Sequence, residues 1–413
     1  MSDTADVVVV GAGIIGLSIA YQLALRSSQQ IVVLEKAANV GEGSTGASCA
    51  ILRQRYTYPD AIRMARDGLQ TYRNWAEYTG IPEPRGKFHH TGVLWMMGDT
   101  ADDVETARET MAGLGIAVEH LDGAAVNERF PALSLCNKPF DLEADTEHQC
   151  ADHNDFLYEV DPGYFDPVSA CQDLLEAARR EGVDVRFRSA VSDVRTTGGR
   201  VDGVDLADGG KVDAPVVVNA AGPWANQLAA MAGLDLGWTL KPIRAQVIYR
   251  EWPPEVVGPI PVVGDGSGGI YFRPETGGQQ ILIGSIREED EQEEVSDPDN
   301  FNTNIDAAFR DTRIYGLHHR IPSLPFRGSM TGIAGLYTVN AEDVYPIIGP
   351  TDIEGFVVAN GFSGHGFKEA PSVGSMVARW LSGETLEHDT DAPMAFFSID
   401  REPHHLDAKA VLA

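Results

Sequence analysis

The chain has 413 residues, of which 43% are hydrophobic and 23% charged, values ordinary for a globular protein of two or three domains. Its 61 acidic residues outnumber the 32 basic ones and give a net charge of −29 at pH 7. This balance disfavours nucleic acid and anionic membrane as partners, because both would be repelled. An acidic, lysine-poor surface also fits work in concentrated salt, a hypothesis about environment only.

The N-terminus carries no recognisable targeting signal. It is apolar, but Asp3 and Asp6 stand where a signal peptide would have basic residues. No apolar run reaches the length of a membrane span. We therefore expect a cytoplasmic protein without a membrane-spanning segment.

The cysteines are scattered, with no CxxC pair and no histidine at a metal-binding spacing. This pattern predicts free thiols in a reducing compartment and no metal site. The cysteines are Cys49, Cys136, Cys150 and Cys171.

The first predicted elements form a βαβ unit. Residues 6–10 and the run "QIVVLEK" have the pattern of short buried strands, and "LSIAYQLALR" between them has helical spacing. The turn after the first strand places Gly11, Gly13 and Gly16 at G-x-G-x-x-G spacing, which suits a tight turn, close approach of a pyrophosphate and helix packing. Glu35 ends the second strand, where an acid that binds ribose hydroxyls belongs. The unit predicts a dinucleotide site.

Two later segments favour FAD over NAD as the dinucleotide. The stretch "GEGSTGASCAILRQRY" follows Glu35, and its Ser44, Thr45 and Ser48 could bind phosphate and ribityl oxygens. The stretch "NAAGPWA" ends another buried strand, at residues 216–218, in a turn that could approach the same cofactor. Each segment alone fits an ordinary strand-to-helix turn, but together they describe one long ligand.

The rest of the chain suggests a second domain. Residues 238–287 alternate in period two, as in an antiparallel sheet, and residues 288–300 form an acidic run that we interpret as a solvated loop. We predict a discontinuous FAD-binding domain and an inserted substrate-binding domain. The FAD-binding domain takes residues 1–85, 151–230 and 330–413, and the substrate-binding domain takes residues 86–150 and 231–329.

The sequence resembles the D-amino acid oxidase superfamily of FAD-dependent oxidoreductases, on its sarcosine oxidase and glycine oxidase branch. The resemblance covers nearly the whole chain and rests on "VVVVGAGIIGLSIAYQLA", "GSTGASCAILRQRY", "NAAGPWANQLA", "GLYTVNAEDVYPIIGP" and "GFSGHGFKEAPSVGSMVA", in this order. It implies an α/β plus antiparallel β fold. In that fold a Rossmann-like FAD-binding domain, similar to that of glutathione reductase, carries an inserted substrate domain of mixed or antiparallel sheet.

The resemblance also implies roles for individual residues. Lys368 and Arg53 match positions that bind the substrate carboxylate, and two cations in a confined pocket suit that task. Tyr337 and Tyr271 match substrate-lining positions, with core packing as the alternative for both. His365 matches a flavin neighbour, with a satisfied core histidine as the alternative. The expected cofactor-binding positions are Gly11, Gly13, Ile14, Ile15, Gly16, Glu35, Lys36, Ser44, Thr45, Ser48, Val191, Ala220, Gly222, Trp224, Gly335, Gly361, Gly364, His365, Gly366, Phe367 and Lys368.

Two departures from the family pattern change the expected chemistry. Gly335 stands where monomeric sarcosine oxidases attach FAD through a cysteine, so we expect non-covalent FAD. Leu282 aligns with the lysine that activates oxygen in those oxidases, and an aliphatic side chain cannot stabilise developing superoxide. This favours a dehydrogenase, or a slow oxidase, with another electron acceptor.

The function we expect is oxidation of the C–N bond of a small secondary or tertiary amino acid, such as sarcosine, dimethylglycine or proline, followed by hydrolysis of the imine. One alternative is oxidation of glycine, a D-amino acid or a 2-hydroxy acid by the same fold. Another is a flavoprotein without turnover, acting as an assembly factor or an electron-relay subunit. The presence of both Arg53 and Lys368 argues against that last role, since a relay needs no carboxylate clamp.

Overall fold

The computed structural model describes residues 3–140 and 147–406. The helices are α1 (Ile14–Ala24), α2 (Pro59–Arg73), α3 (Trp75–Thr79), α4 (Ala101–Gly113), α5 (Gly123–Arg129), α6 (Pro167–Arg180), α7 (Ala225–Met231), α8 (Ala307–Arg320) and α9 (Gly366–Ser382). The strands are β1 (Asp3–Thr4), β2 (Val7–Val10), β3 (Ile31–Leu34), β4 (Phe88–His90), β5 (Val93–Met96), β6 (Val118–Leu121), β7 (Phe156–Glu159), β8 (Gly163–Phe165), β9 (Asp184–Arg186), β10 (Val191–Thr197), β11 (Arg200–Leu206), β12 (Lys211–Asp213), β13 (Val216–Asn219), β14 (Leu240–Glu251), β15 (Val262–Asp265), β16 (Ile270–Glu275), β17 (Gln280–Ser285), β18 (Met330–Asn340), β19 (Ile347–Pro350) and β20 (Phe356–Asn360).

A six-stranded sheet, here called the central sheet, joins the two ends of the chain. Its order is β19-β20-β13-β2-β3-β9, and every pairing is parallel except that of β19 with β20. The strand β2 is a run of valines because both faces of the sheet are buried. Val7 and Val9 pack with the cluster of α1, α6 and α9, whereas Val8 and Val10 pack with the opposite cluster. The predicted βαβ unit, β2-α1-β3, is confirmed.

A four-stranded sheet covers the other face of the central sheet. Its order is β1-β12-β11-β10, and it packs with α7 against the valine faces of β2 and β13. The arrangement gives three layers: helices, parallel sheet and smaller sheet. This is the Rossmann-like architecture that the sequence predicted, and the fold-class prediction is confirmed.

A separate eight-stranded sheet is here called the large sheet. Its order is β18-β14-β17-β16-β15-β5-β7-β6, antiparallel throughout except for β15 beside β5. One face packs on α8 through Phe272, Ile283 and Leu317. The antiparallel arrangement predicted for residues 238–287 is present in β14, β16 and β17.

The domain boundaries stay a prediction, on which the strand pairing bears at two places. Both β7 and β18 pair within the large sheet, although residues 151–230 and 330–413 were assigned to the FAD-binding domain. The residue pattern of neither strand identifies its neighbours in a sheet, which the backbone pairing supplies. Residues 1–2, 141–146 and 407–413 of the predicted ranges lie outside the described residues.

Among the helices of residues 3–140 and 147–406, none combines the length and the apolar character needed to cross a lipid bilayer.

Candidate active site

A cavity of about 1200 Å³ lies between the carboxyl ends of the central strands and one face of the large sheet. Ligands of open parallel sheets bind at this edge because the strands end there in turns and helix N-termini. The volume exceeds that of an ordinary small-ligand pocket, which is about 300–1,000 Å³. It therefore suits one long ligand with a second, smaller one. Of the predicted site residues, all line this cavity except Gly16, Gly361 and His365.

The turn between β2 and α1, and the helix that follows it, require glycine at two positions. Gly11 has φ +108°, and a Cβ there would lie 2.5 Å from the carbonyl oxygen of Ala220. A Cβ on Gly16 would lie 2.0 Å from the carbonyl oxygen of Gly11, so Gly16 acts in packing and not in lining. The helix α1 then begins at Ile14, so the positive end of its dipole lies at the cavity. This backbone cradle fits a pyrophosphate.

Glu35 is fixed at the end of β3 by two backbone amides. Its carboxylate accepts from the N–H of Ala12 at 2.8 Å and from the N–H of Ala37 at 2.8 Å. A carboxylate oxygen can accept more than one hydrogen bond, so capacity remains for the hydroxyls of a ribose. The geometry fits the predicted role.

Two of the small hydroxyl residues after Glu35 bind backbone N–H groups, and the third has a hydroxyl without a partner at the cavity wall. Thr45 Oγ1 accepts from the N–H of Ile14 at 3.1 Å, and Ser48 Oγ accepts from the N–H of Ala50 at 3.0 Å. Ser44 Oγ is buried at the cavity wall and has no hydrogen-bond partner within the described parts of the chain. A buried hydroxyl without a partner is costly, so a ligand oxygen at Ser44 fits the site.

Gly335 lies on β18 where the strand passes close to the same turn. A Cβ at this position would lie 2.3 Å from the Cβ of Ala47, so a side chain is excluded without movement of the backbone. Of the cysteines in the described residues, Cys49 lines the cavity. Burial raises the pKa of its thiol, which lies 2.8 Å from the Tyr271 hydroxyl. Its thiolate population is therefore low.

Two cations converge at the other end of the cavity. The Arg53 guanidinium carbon lies 4.1 Å from the centre of the Tyr56 ring, and Lys368 Nζ lies 5.9 Å from the same centre. Arg53 follows the hydroxyl-rich segment, whereas Lys368 stands in the first turn of α9, far along the chain. Both side chains are buried and both line the cavity. The structure thus brings together the two residues predicted to bind a carboxylate.

The environment of Lys368 lowers the pKa of its ammonium group. Burial, and next the positive charge of Arg53, lower its pKa from 10.5 to about 7, while the adjacent Glu369 acts in the opposite direction. Burial raises the pKa of Glu369 to about 7. Both carboxylate oxygens of Glu369 are buried, and neither has a hydrogen-bond partner among the described residues. Near neutral pH, a proton at this end of the cavity is therefore easily gained or lost.

The backbone next to Arg53 is held by the carboxylate of Glu159, a residue that the sequence-based prediction did not include. Glu159, fully buried at the end of β7, accepts from the N–H groups of Gln54 at 2.7 Å and Arg55 at 3.2 Å, and from Trp95 Nε1 at 2.8 Å. Burial raises the pKa of Glu159, and these hydrogen bonds act against that rise. Only the acidic residue in an otherwise apolar strand could have signalled this role.

The two predicted tyrosines lie in the cavity wall, on different strands. Tyr271 of β16 contacts the Cys49 thiol, and Tyr337 of β18 lies beside Glu291. Burial raises the pKa of both hydroxyls well above the ordinary value. Both therefore remain protonated donors in the physiological range.

His365 does not line the cavity. It is fully buried behind the glycine loop, where its ring contacts the Tyr56 ring edge to face, with 5.0 Å between the ring centres. Its backbone N–H donates to the carbonyl oxygen of Phe362 at 2.7 Å. This arrangement matches the alternative of a core histidine. Gly361 likewise serves the turn, with φ +76° and a Cβ position 2.9 Å from Leu240.

The acidic run at residues 288–300 is more than a solvated loop. Asp290, Glu291 and Asp299 line the cavity, so the prediction of a solvated loop without a site role is corrected. The segment is tied down by buried arginines that the alternation pattern did not reveal: Arg244 pairs with Glu293 at 2.7 Å and Arg313 with Asp290 at 2.7 Å.

The same segment reaches the end of the cavity that holds the glycine turn. Lys36 forms an ion pair with Asp299 and lies 3.6 Å from the centre of the Trp224 ring. Trp224 Nε1 donates to Asp299 at 3.2 Å. Trp224 belongs to the "NAAGPWA" turn, whose Ala220 and Gly222 line the cavity together with Val191 at the start of β10.

A Rossmann-like fold with a glycine turn, an acid at the end of the second strand and a long cavity at the same edge is the arrangement expected of a dinucleotide-binding protein. The family described as "FAD dependent oxidoreductase" matches residues 6–380, and the chain belongs to this family. The resemblance found in the sequence is thereby confirmed.

Related proteins share most of the chain. "FAD-dependent oxidoreductase domain-containing protein 1" of Bos taurus is 28% identical, over 92% of this chain and 81% of its own length. Mitochondrial dimethylglycine dehydrogenase of Rattus norvegicus is 26% identical, over 92% of this chain but only 43% of its own length. Among solved structures, L-proline dehydrogenase from P. horikoshii superposes with a TM-score of 0.81 at 23% identity, covering 97% of this chain and 98% of that chain. Glycine oxidase from Geobacillus kaustophilus gives 0.77 at 22% identity, with 97% and 100% coverage.

Proposed function

We propose that this protein oxidises the C–N bond of a small secondary or tertiary amino acid with non-covalently bound FAD. The observation that carries the proposal is the buried pair of cations, Arg53 and Lys368, at one end of a cavity whose other end is a dinucleotide cradle. Two cations that share a cavity wall favour an anionic group between them, and a carboxylate accepts from both.

Each group in the cavity has a part in binding or orientation. Arg53 and Lys368 hold the substrate carboxylate, and the tyrosines at positions 271 and 337 donate hydrogen bonds from the cavity wall. FAD, when bound, would accept a hydride equivalent, that is two electrons and one proton, from the neutral amine. Water would then hydrolyse the resulting iminium ion to a carbonyl compound and an amine. The names of two relatives, a dimethylglycine dehydrogenase and a proline dehydrogenase, support an N-alkylated or cyclic substrate.

Non-covalent binding is supported by the wall around Gly335 and Cys49. No side chain fits at Gly335 without displacement of Ala47, and the Cys49 thiol is held protonated by burial. Denaturation with trichloroacetic acid tests this part directly. We expect all the flavin in the supernatant, and flavin in the protein pellet would contradict it.

A dehydrogenase is favoured over a fast oxidase. Leu282 is buried in β17 between Tyr249 and Arg273, and the cations that line the cavity within the described residues are Lys36, Arg53 and Lys368. Lys36 belongs to the cofactor end, and the other two are assigned to the substrate. Leu282 itself does not line the cavity, and no further cation of the described residues faces the cavity to stabilise developing superoxide.

The test is anaerobic reduction of the bound flavin. We would mix the purified protein with sarcosine, dimethylglycine, proline, glycine and 2-hydroxyglutarate in turn and follow the flavin absorbance, then admit oxygen. We expect bleaching by an N-alkylated or cyclic amino acid and slow reoxidation. Bleaching by glycine or the hydroxy acid alone would replace the substrate class. Fast reoxidation would overturn the dehydrogenase, and no bleaching by any compound would support a flavoprotein without turnover.

A further inference from the structure

Three metal-ligating side chains meet on the large-sheet side of the molecule, away from the cavity. The Sγ atoms of Cys136 and Cys150 and a ring nitrogen of His148 lie within 4.8 Å of one another. Cys136 Sγ and His148 Nε2 are 3.3 Å apart. The sequence predicted no metal site because it contains no CxxC pair and no histidine at a recognised metal-binding spacing, and the three-dimensional grouping of these side chains is the reason to consider one.

Backbone pairing brings the cysteines together without any metal. Residues 135–137 run antiparallel to residues 151–153: the N–H of Asn137 donates to Ala151 at 2.9 Å, and the N–H of His153 donates to Leu135 at 3.0 Å. Cys136 faces Asp152 in this ladder. The two thiols are therefore held near each other by the fold, which lowers the ordering cost of closing a metal site.

The ladder rests on a buried ion pair. Arg320 and Asp265 are both fully buried and 2.6 Å apart, and the carbonyl of Arg320 accepts from the N–H of Ser134 at 2.8 Å. Ser267 Oγ donates to the carbonyl of Cys136 at 3.4 Å. These contacts hold the backbone around Cys136 in place, and a preorganised metal ligand requires such support.

His319 of α8 is the candidate for a fourth ligand, although its ring nitrogens do not lie within 4.8 Å of all three clustered ligand atoms. His319 lies next to Arg320, and its ring centre is 4.8 Å from that of His148, with the two planes at 87°. Its Nε2 is buried and has no hydrogen-bond partner in the part of the chain that the structure describes. Two imidazoles bound to one tetrahedral zinc ion have ring centres about 5 Å apart. The spacing of the two rings matches that geometry.

We propose that Cys136, His148, Cys150 and His319 bind one thiophilic divalent cation, with zinc as the reference ion. Two thiolates and two imidazoles form a soft, tetrahedral donor set that selects zinc over magnesium or calcium. Binding displaces the two thiol protons into water. Sulfur and nitrogen ligands of tetrahedral zinc lie about 3.5 to 3.8 Å apart. The three clustered ligand atoms would therefore move by up to roughly 1 Å as the ion enters, and the His319 ring would move further toward them.

The site is structural and not catalytic. All four ligands come from the protein, which leaves no open position for substrate, and none of the four lines the large cavity. The ion would fasten the segment around residues 148–150 to the ladder and to α8. It would therefore change the stability of the large-sheet region and leave the flavin spectrum unaltered.

The test uses cobalt as a spectroscopic substitute for zinc in the reduced, chelator-treated holoprotein. We expect saturation at one Co²⁺ per chain, a thiolate-to-cobalt charge-transfer band, intense tetrahedral d–d bands, and displacement by zinc. Cys136→Ser, Cys150→Ser and His148→Ala should each lose the band or weaken binding by at least about tenfold. Cys49→Ser and Cys171→Ser are matched controls that should keep it.

Three results would overturn the proposal. The first is the absence of a cobalt band in the reduced wild-type protein, and the second is a band that survives Cys136→Ser or Cys150→Ser. The third is a Cys136–Cys150 disulfide, found by mass spectrometry, that persists under the reducing conditions of the cell. An unchanged spectrum in His319→Ala would overturn the assignment of the fourth ligand. A melting temperature that rises with zinc in the wild type, but not in Cys150→Ser, would support the structural role.

Discussion

The two ends of the cavity are built in different ways. The cofactor end is formed mainly by backbone: the glycine turn, the N-terminus of α1 and a carboxylate held by two amides, all between residues 11 and 37. The proposed substrate end is formed by side chains from distant parts of the chain, with Arg53 and Lys368 both near the Tyr56 ring. The first end tolerates almost no change in local geometry, whereas the second is defined by charge.

The largest expected effect comes from breaking the backbone end. Gly11→Val should abolish FAD binding, because the residue has φ +108° and a Cβ would lie 2.5 Å from the carbonyl oxygen of Ala220. The ratio of flavin to protein absorbance in the purified variant measures this. Gly43→Ala is the matched control, since it lines the same cavity and no atom lies within 4 Å of its Cβ position. Full flavin content in Gly11→Val would refute the cradle.

The next effect comes from removing one charge at the substrate end. Lys368→Met should keep its FAD and weaken the binding of acetate, a plain carboxylate, by about tenfold or more, because one charge-assisted hydrogen bond is lost. Perturbation of the flavin absorbance by acetate gives the affinity. Lys211→Met, on β12 and outside the cavity, serves as the control. Equal acetate affinity in both variants would remove Lys368 from the clamp.

The pH dependence of the same binding should follow the groups at this end. Lys368 is cationic below its lowered pKa of about 7 and neutral above it, and Glu369 becomes anionic over the same range. Both changes disfavour an anion, so acetate affinity should fall as the pH rises through about 7. Glu369→Gln should move the midpoint to lower pH, since the negative charge of Glu369 is what raises the pKa of Lys368. Isothermal titration at several pH values measures the midpoint. A midpoint that moves upward in the variant would contradict the coupling.

The contrast explains what the sequence could predict. The glycine turn, Glu35 and the βαβ unit were predicted because each is a local pattern with one physical meaning. The fold class followed from the same patterns. The positions of Arg53 and Lys368 came from family resemblance, and nothing in the local pattern around either residue shows that they share a cavity wall.

Other features depended on long-range packing and could not be predicted. The support that Glu159 gives to the Arg53 segment requires that β7 end beside residues 54 and 55. The position of His365 behind the loop depends on Tyr56, hundreds of residues earlier. The meeting of Cys136 with Cys150 depends on a backbone ladder that no cysteine spacing reveals.

The smallest expected effect tests whether the acidic segment belongs to the cofactor end. Asp299 accepts from Trp224 and pairs with Lys36, but the ion pair is substantially exposed, and exposed pairs contribute only about 0–1 kcal/mol. Asp299→Asn should therefore weaken FAD binding by no more than about fivefold, and by less in high salt, because screening already reduces the pair. Flavin fluorescence on dilution measures the dissociation constant, with Glu294→Gln of the same segment as control. A much larger loss of FAD would show that the segment closes the cofactor end, and that charge as well as backbone defines it.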